Sequence, residues 1–376
     1  MPLLYTYRID FQELSHSEIF GTVAADITWL KIFSSWMKAH KRSLLSKASL
    51  AWNLLLVFAR IELFSFVDEI HYRNAKTSFG GLTGHKGTIS LRIRFKSLVL
   101  ITSHFLPSAD NYAERCEQFK NSRLCTFDDD ENNSVKQNII WLGDFNFRVD
   151  GLSVDETIEK ISMGKIKELL NNFDQLNKAR RKREAFSDFS EAPISFPPTY
   201  RILVSVGSTK YDLLRVPSWC DRILFKGDSL SCKRYESYQL ITIADHFPVF
   251  AEFLLSSISN KTLHSWNIVF HPVSGWIDAI PFSCNFIFLN DFWKVNGSYR
   301  DWIGVYSAEF ENYFEPIHWI YVVTCDSIDN EKMALAEFPM LTAGKYRLAY
   351  FSIKKNSIQG LSDPFEIINV NKNKEQ

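Results

Sequence analysis

Charge of one sign is what this chain most plainly lacks. Lys+Arg and Asp+Glu number 43 each, so the formal net charge at pH 7 is zero. A dedicated nucleic-acid binder shows a cationic excess, so neutrality argues against one while leaving room for a local basic pocket. Paired or metal-spaced cysteines are missing too. Cys116, Cys125, Cys220, Cys232, Cys284 and Cys325 form no CxxC, a pattern expected of reduced thiols in a cytosolic protein. No signal peptide is expected, because Met1-Pro2-Leu3-Leu4 runs at once into polar and charged residues. The most apolar stretch, Ala48 to Val67, contains Asn53, Arg60 and Glu62. A charge at mid-bilayer costs on the order of 2.5–3.5 kcal/mol, so two buried strands are expected there and no transmembrane segment. Internal repeats and low-complexity tracts are absent as well.

What is present is a chain of 376 residues, long enough for two domains, with 46% apolar and 23% charged residues, as in ordinary globular proteins. The aromatic fraction of 15%, mostly phenylalanine, predicts extensive buried ring packing. Short apolar runs bounded by turn residues read as strands: Leu54–Ala59, Ile89–Phe95, Leu98–Ser103, Ile139–Leu142, Arg222–Phe225, Leu240–Ile243 and Val249–Leu254. Asp155 to Asn177, with apolar positions at Ile158, Ile161, Ile166, Leu169 and Leu170, reads as helical, and Asn111 to Leu124 as a second helix. Mixed strands and helices predict a layered α/β domain. The acidic run Asp128-Asp129-Asp130 has no EF-hand spacing and reads as a solvated loop. Polar residues from Ser256 to Lys261 mark a boundary near residue 258. Beyond it, short aromatic-rich strands between turns at Gly275, Asn296-Gly297, Ala343-Gly344 and Ser362-Asp363-Pro364 fit an all-β sandwich of roughly 100 residues. The expected division is 1–257, 258–370, and a polar tail over 371–376.

Polar residues of catalytic type flank four of the strand-like runs. Ile139–Leu142 leads into Gly143-Asp144-Phe145-Asn146-Phe147-Arg148, and Leu98–Ser103 ends at His104. Ser218-Trp219-Cys220-Asp221-Arg222 precedes Ile223, and Ile241 to Ala244 ends in Asp245-His246. A lone Gly-Asp is usually a turn, and a lone Asp-His is usually surface. Their recurrence at strand ends, where ligands gather in layered α/β proteins, points to one site.

Two long segments carry a specific resemblance. Ile140-Trp141-Leu142-Gly143-Asp144-Phe145-Asn146-Phe147-Arg148 and Arg215-Val216-Pro217-Ser218-Trp219-Cys220-Asp221-Arg222-Ile223-Leu224 resemble the two signatures of the inositol polyphosphate 5-phosphatases. Supporting pieces follow in family order: Gln12-Glu13, Gly84-His85-Lys86-Gly87, Ser103-His104-Phe105-Leu106-Pro107, Phe196-Pro197-Pro198-Thr199-Tyr200-Arg201, and Ala244-Asp245-His246-Phe247-Pro248-Val249. The resemblance covers about residues 5 to 255. It implies an α/β four-layer sandwich of the endonuclease/exonuclease/phosphatase (DNase I-like) type, two packed sheets flanked by helices. Asp301-Trp302-Ile303-Gly304-Val305-Tyr306 and Tyr346-Arg347-Leu348-Ala349-Tyr350-Phe351 are similar to the SKICH domain, which implies an Ig-like sandwich after it.

By that resemblance the protein is a Mg²⁺-dependent phosphoesterase that removes the 5-phosphate from phosphoinositides. Glu13 holds the metal and Asp245 helps fix the metal region. Asp144 orients and deprotonates the attacking water, with Asn146 hydrogen-bonding beside it. His246 binds the scissile phosphate, kept protonated by Asp221, and His104 is a further phosphate contact; a satisfied core histidine is an equal alternative for His104. Tyr200, Arg201 and Arg215 match positions that grip a 4-phosphate, since arginine offers bidentate contacts. Lys86, Arg148 and Arg222 complete the substrate-binding set. The implied partners are phosphoinositide headgroups at a membrane surface and a protein partner for the SKICH domain. The implied location is cytoplasmic with peripheral membrane recruitment, and no nucleic acid is implied.

The chain also departs from the family pattern. A first strand ending in Trp-Asn is missing, and Trp52-Asn53 comes too late in order to replace it. His85 stands where the family has Asn, and Tyr211-Asp212-Leu213-Leu214-Arg215 is shortened, with an apolar residue in place of a Lys. Weaker 4-phosphate binding is expected. Two other readings stay open: a catalytically impaired phosphoinositide-binding or scaffolding paralogue, and an incomplete gene model of an active enzyme. A nuclease of the same fold is disfavoured, since it needs neither signature and the neutral charge leaves no footprint for DNA.

Overall fold

The computed structural model describes residues 7–11, 22–51, 53–78, 83–95, 97–128, 136–204, 209–256, 266–328 and 332–369. The N-terminal half runs β1 (Tyr7–Phe11), α1 (Thr22–Ala39), β2 (Ser43–Leu50), β3 (Asn53–Ala59), β4 (Ile70–Ser78), β5 (Thr83–Ile93), β6 (Leu98–His104), α2 (Tyr112–Ser122) and β7 (Asn138–Asp144). It continues with α3 (Val154–Ser162), α4 (Ile166–Asn172), α5 (Gln175–Lys182), β8 (Ser190–Glu191), β9 (Asp221–Lys226), β10 (Leu230–Ser237) and β11 (Val249–Leu255). The strands form a three-stranded sheet ordered β1-β3-β2, a six-stranded sheet ordered β4-β5-β6-β7-β9-β8, and the β10-β11 pair.

Alternation of side chains along a strand decides what each face meets. In β6, Leu98 and Leu100 point toward Leu55 and Val57 of β3, while Val99 and Ile101 join Phe119 of α2 and Leu176 of α5 on the opposite face. β3 is buried along its whole length, because its outer residues Leu54, Leu56 and Phe58 are covered by Leu30 and Met37 of α1. That explains its continuous apolar run, the signature of a strand covered on both faces. Ile140 and Ile223 pack on Leu230 and Tyr235 of β10, extending the same internal layer to the other end.

The stretch Ala48–Val67 divides among the end of β2, all of β3 and a 3₁₀ turn at Ile61–Phe66, and among the described residues no helix is long and apolar enough to cross a membrane. The single helix expected over Asp155–Asn177 is instead three. Gly164 takes a left-handed φ of 70° after α3, and Asp174 starts α5 afresh by accepting from Asn177 N at 2.9 Å. The strand expected at Leu240–Ile243 is a turn between β10 and β11. Its apolar residues have no sheet to enter, and Leu240 is 82% and Ile243 80% exposed.

The boundary expected near residue 258 falls within 257–265, outside the described residues. The C-terminal half contains β12 (Ile268–Phe270), β13 (Trp276–Ile277), β14 (Pro281–Phe288), α6 (Phe292–Asn296), β15 (Trp302–Ser307), β16 (His318–Tyr321), β17 (Asp326–Ile328), β18 (Met333–Met340), β19 (Gly344–Ser352), β20 (Ser357–Leu361) and β21 (Phe365–Ile368). One sheet is ordered β12-β14-β18-β17, the other β13-β21-β19-β15-β16 with β20 beside β19. Phe286 and Phe338 of the first meet Val305 and Leu348 of the second in a common core. All six cysteines are unpaired.

Candidate active site

The site forms where β7 ends beside the start of β9. Their antiparallel register sets Asp144 opposite Asp221, so two carboxylates that lie far apart in sequence become neighbours. After Asp144 the chain turns sharply, with Asn146 at a φ of 54°. This left-handed conformation is uncommon except for glycine and short polar residues such as Asn. The turn returns both Asn146 donors to the carboxylate: its N reaches Asp144 Oδ1 and its Nδ2 reaches Oδ2, each at 2.8 Å. Asn146 Nδ2 also donates to Phe105 O at 3.1 Å, and its Oδ1 accepts from Arg148 Nη2.

His104, the last residue of β6, brings Nε2 to 3.4 Å from Asp144 Oδ2. Lys86 Nζ contacts the same nitrogen, so the two basic side chains share a position beside the carboxylate. Burial pushes the Asp144 carboxyl up, but hydrogen bonding and charge from His104, with the charges of His246 and Arg148, outweigh it and hold the group well below the usual carboxylate range. Lys86 owes its place to Gly87. A Cβ at Gly87 would lie 2.6 Å from Ala75 O and 2.8 Å from Leu50 Cδ2, so only glycine lets β5 pass between β4 and β2 there.

On the other side, His246 Nδ1 donates to Asp221 Oδ2 at 2.9 Å, and Thr199 Oγ1 donates to the same oxygen at 2.6 Å. Burial lowers the His246 pKa, but Asp221 overrides that and raises it to about 9, so the imidazole is cationic at neutral pH. Tyr200 leans on the His246 ring with centroids 4.6 Å apart, and the Arg148 guanidinium lies 4.1 Å from the Tyr200 ring centre. Arg201 pairs with Asp212 at 3.1 Å and with Asp245 at 3.3 Å.

Ligand atoms of Asp144, Asp221 and His246 lie within 4.8 Å of one another. Two of the three are carboxylates, whose oxygens suit a hard divalent cation, and the His246 imidazole is held by Asp221. Asp245 is engaged with Arg201 and does not join that cluster. Glu13 lies outside the described residues. Arg215 is exposed at the end of the 211–215 segment. The expectation for Arg222 is corrected: its guanidinium is wholly buried, with Nη1 3.1 Å from both Asp174 oxygens and Nε and Nη2 each 2.7 Å from Glu191. It locks α5 and β8 to β9 and offers no face to a substrate.

Sequence reasoning passed over several supports. Thr199 lay inside a quoted motif without a role. Gln175 Oε1 accepts from Arg148 N at 3.0 Å and from Arg115 Nη2 at 2.5 Å, and Arg115 Nη1 also holds Leu106 O at 3.0 Å. Gln175 and Arg115 brace the loop that follows His104 and the segment carrying Arg148, and only their polarity within helical segments marked them.

Fold and site together define a class of protein: a layered α/β domain whose adjacent strand ends bring two carboxylates and an imidazole together, followed by a β-sandwich. The endonuclease/exonuclease/phosphatase family 2 model matches residues 4–252, and the SKICH domain model matches residues 268–367. The chain belongs to that family and carries a SKICH domain. It is 30% identical over 272 residues to the inositol-1,4,5-trisphosphate 5-phosphatase 1 of Schizosaccharomyces pombe, a match covering 67% of this chain but only 24% of that relative's length. Against the inositol polyphosphate 5-phosphatase K of Mus musculus it is 25% identical over 397 residues, covering 96% of this chain and 82% of that one. Among solved structures, the inositol polyphosphate 5-phosphatase domain of SPsynaptojanin, in complex with inositol (1,4)-bisphosphate and a calcium ion, aligns with a TM-score of 0.57 and 27% identity over 67% of this chain and 75% of its own.

Proposed function

We propose that the protein hydrolyses the 5-phosphate of phosphoinositides such as phosphatidylinositol 4,5-bisphosphate and 3,4,5-trisphosphate. The observation that carries this reading is the pairing of Asp144, gripped by Asn146, with an Asp221–His246 ion pair on the neighbouring strand. Water attacks phosphorus in line, the bond from phosphorus to the inositol oxygen breaks, and that oxygen takes up a proton as phosphate leaves. Asp144 is held ionised and weakly basic, so its main service is to orient the water and accept its proton late. That suffices for a loose phosphoryl transition state, which needs positioning and charge more than strong base. Cationic His246 stabilises the transferring oxygens, with His104 and Lys86 beside them. Tyr200, Arg201, Arg148 and Arg215 are the proposed substrate contacts, and Asp245 holds Arg201 in place.

Magnesium is the proposed cation, with Glu13 as its acidic ligand; when bound it polarises the phosphate as a Lewis acid. The proposed domains remain 1–257 and 258–370, followed by the tail. Packing of α1, two β layers and α2 with α5 supports a four-layer first domain, and two facing sheets support an Ig-like second. Exposed Leu213, Leu214, Leu240 and Ile243 support peripheral contact with a membrane, and a cytoplasmic location is proposed with it.

The test is phosphate release from phosphatidylinositol 4,5-bisphosphate with Mg²⁺, comparing the wild type with Asp144→Asn. A loss of roughly 10²–10⁴-fold is expected. Equal rates would overturn the assignment. No turnover by well-folded wild type that still binds lipid would favour the scaffolding reading.

A further inference from the structure

The two halves of the molecule meet at the open edges of the N-terminal sheets. β2 ends the three-stranded sheet and β4 ends the six-stranded sheet. Such edges present unpaired backbone groups that invite foreign strands unless covered. The C-terminal sandwich caps the first residues of both. At β2, Leu44 N donates to Glu311 O at 2.8 Å, Leu44 and Asn312 form a parallel bridge, and Ser43 Oγ donates to Phe310 O at 2.5 Å. At β4, Ile70 N donates to Lys355 O at 3.0 Å. Just before it, Asp68 O accepts from Ser357 Oγ at 3.0 Å and from Gln359 Nε2 at 2.8 Å, while Lys355 Nζ stands 3.2 Å from Asp68 Oδ1.

Between these two strips the core is continuous. Leu45, Phe64 and Ile70 of the N-terminal half belong to the same buried cluster as Phe310, Tyr313 and Phe351 of the sandwich. Domains joined by small polar interfaces move relative to one another by default; a hydrophobic interface with its buried polar groups satisfied removes that freedom. We propose that the C-terminal sandwich is a structural part of the N-terminal fold, closing the open end of its two sheets, so that the halves are rigidly oriented and unfold as one unit.

The closure reaches toward the site. β2 is hooked by the sandwich at Ser43 and Leu44, and its far end places Leu50 against Gly87, next to Lys86. Loosening the sandwich frees the strand that backs Lys86. The inference rests on packing alone and holds whatever chemistry the site performs.

The test follows denaturant unfolding of the full chain, with amide hydrogen exchange resolved by segment, in the wild type, Phe310→Ala, Lys355→Ala and, as a control, Trp319→Ala at an exposed position of the sandwich. A single transition is expected. Both interface variants should lower its midpoint and speed exchange in β2 and β4 by about tenfold or more, with the control unchanged. Lys355→Ala alters only a partly exposed side chain, so it keeps the result readable if Phe310→Ala does not fold. Two separate transitions, or faster exchange confined to residues 268–369 with β2 and β4 unchanged, would overturn the proposal.

Discussion

His246 owes its charge to Asp221, and that dependence sets a pH window. With its pKa raised from 6.5 to about 9, the protonated imidazole contributes stability that is fully present below 6.5 and is lost as pH rises through about 9. Catalysis that needs the cation falls over the same upper range. Asp221→Asn keeps a hydrogen-bond acceptor but removes the charge, so the alkaline limb of the rate profile on soluble inositol 1,4,5-trisphosphate should move down toward 6.5. An unmoved limb would show that another group sets it. Arg222 gives the opposite kind of prediction, one of stability without recognition. Arg222→Met leaves Asp174 buried without its cation and Glu191 with only Arg180, 3.5 Å away. Breaking such a pair costs roughly 3–5 kcal/mol, so the denaturation midpoint should fall steeply while KM of the folded fraction stays unchanged. The second signature drew attention to Arg222 but could not reveal its role, because a motif records that a residue is needed and not which way its side chain points.

Gly87 shows the same limit at the scale of an element. The Gly-His-Lys-Gly pattern was legible, yet its cause is the passage of β5 between Ala75 O and Leu50. Gly87→Ala forces β5 off one neighbour, with an overpacking cost of typically 1–3 kcal/mol, and moves Lys86 with it. A lower melting temperature accompanied by weaker binding of an inositol polyphosphate is expected; lost stability with unaltered binding would detach Lys86 from substrate. Strands β3, β6 and β7 were legible because burial makes them short and largely apolar, whereas β9 is buried only at its centre and β11 is half-buried along its length, so their apolar runs alone marked them. β4 was not, since its sequence Ile-His-Tyr-Arg-Asn-Ala-Lys-Thr-Ser alternates polar residues on a sheet edge and takes its order from β5 and the C-terminal sandwich. Leu240–Ile243 misled for the converse reason: its apolar character fits a strand, but nothing in the local sequence tells a buried run from an exposed one. The break of the long helix at Asp174 was equally hidden, because the residue that caps α5 also pays its charge to Arg222, a partner 48 positions away.

At the scale of the whole molecule, rigid closure changes what a membrane experiment can mean. Deleting residues 258–376 to test recruitment also uncovers the starts of β2 and β4 and the shared core cluster, so a change in location would not separate a lost membrane contact from a damaged fold. The exposed apolar rim offers a cleaner route. Leu240 and Ile243 are 82% and 80% exposed, contribute nothing to the core, and precede Asp245 and His246 on the same turn. Scattered exposed leucines are ordinary, but apolar residues clustered on segments beside a polar site are the pattern expected of an interaction surface. Leu240 and Ile243 stand six and three residues before His246, so on the proposed function the rim should assist only when the headgroup belongs to a bilayer. Replacing Leu240 and Ile243 together by serine should leave stability and turnover of soluble inositol 1,4,5-trisphosphate within about twofold of wild type, surface changes away from packed features being nearly neutral. Hydrolysis of phosphatidylinositol 4,5-bisphosphate in vesicles should fall several-fold, each lost apolar contact weakening adsorption in proportion to the area it buries. Parallel losses on both substrates would place the defect in the turn that carries His246. Unchanged rates on vesicles would send the search for the membrane-facing surface to the C-terminal sandwich, whose orientation relative to the site the shared core already fixes.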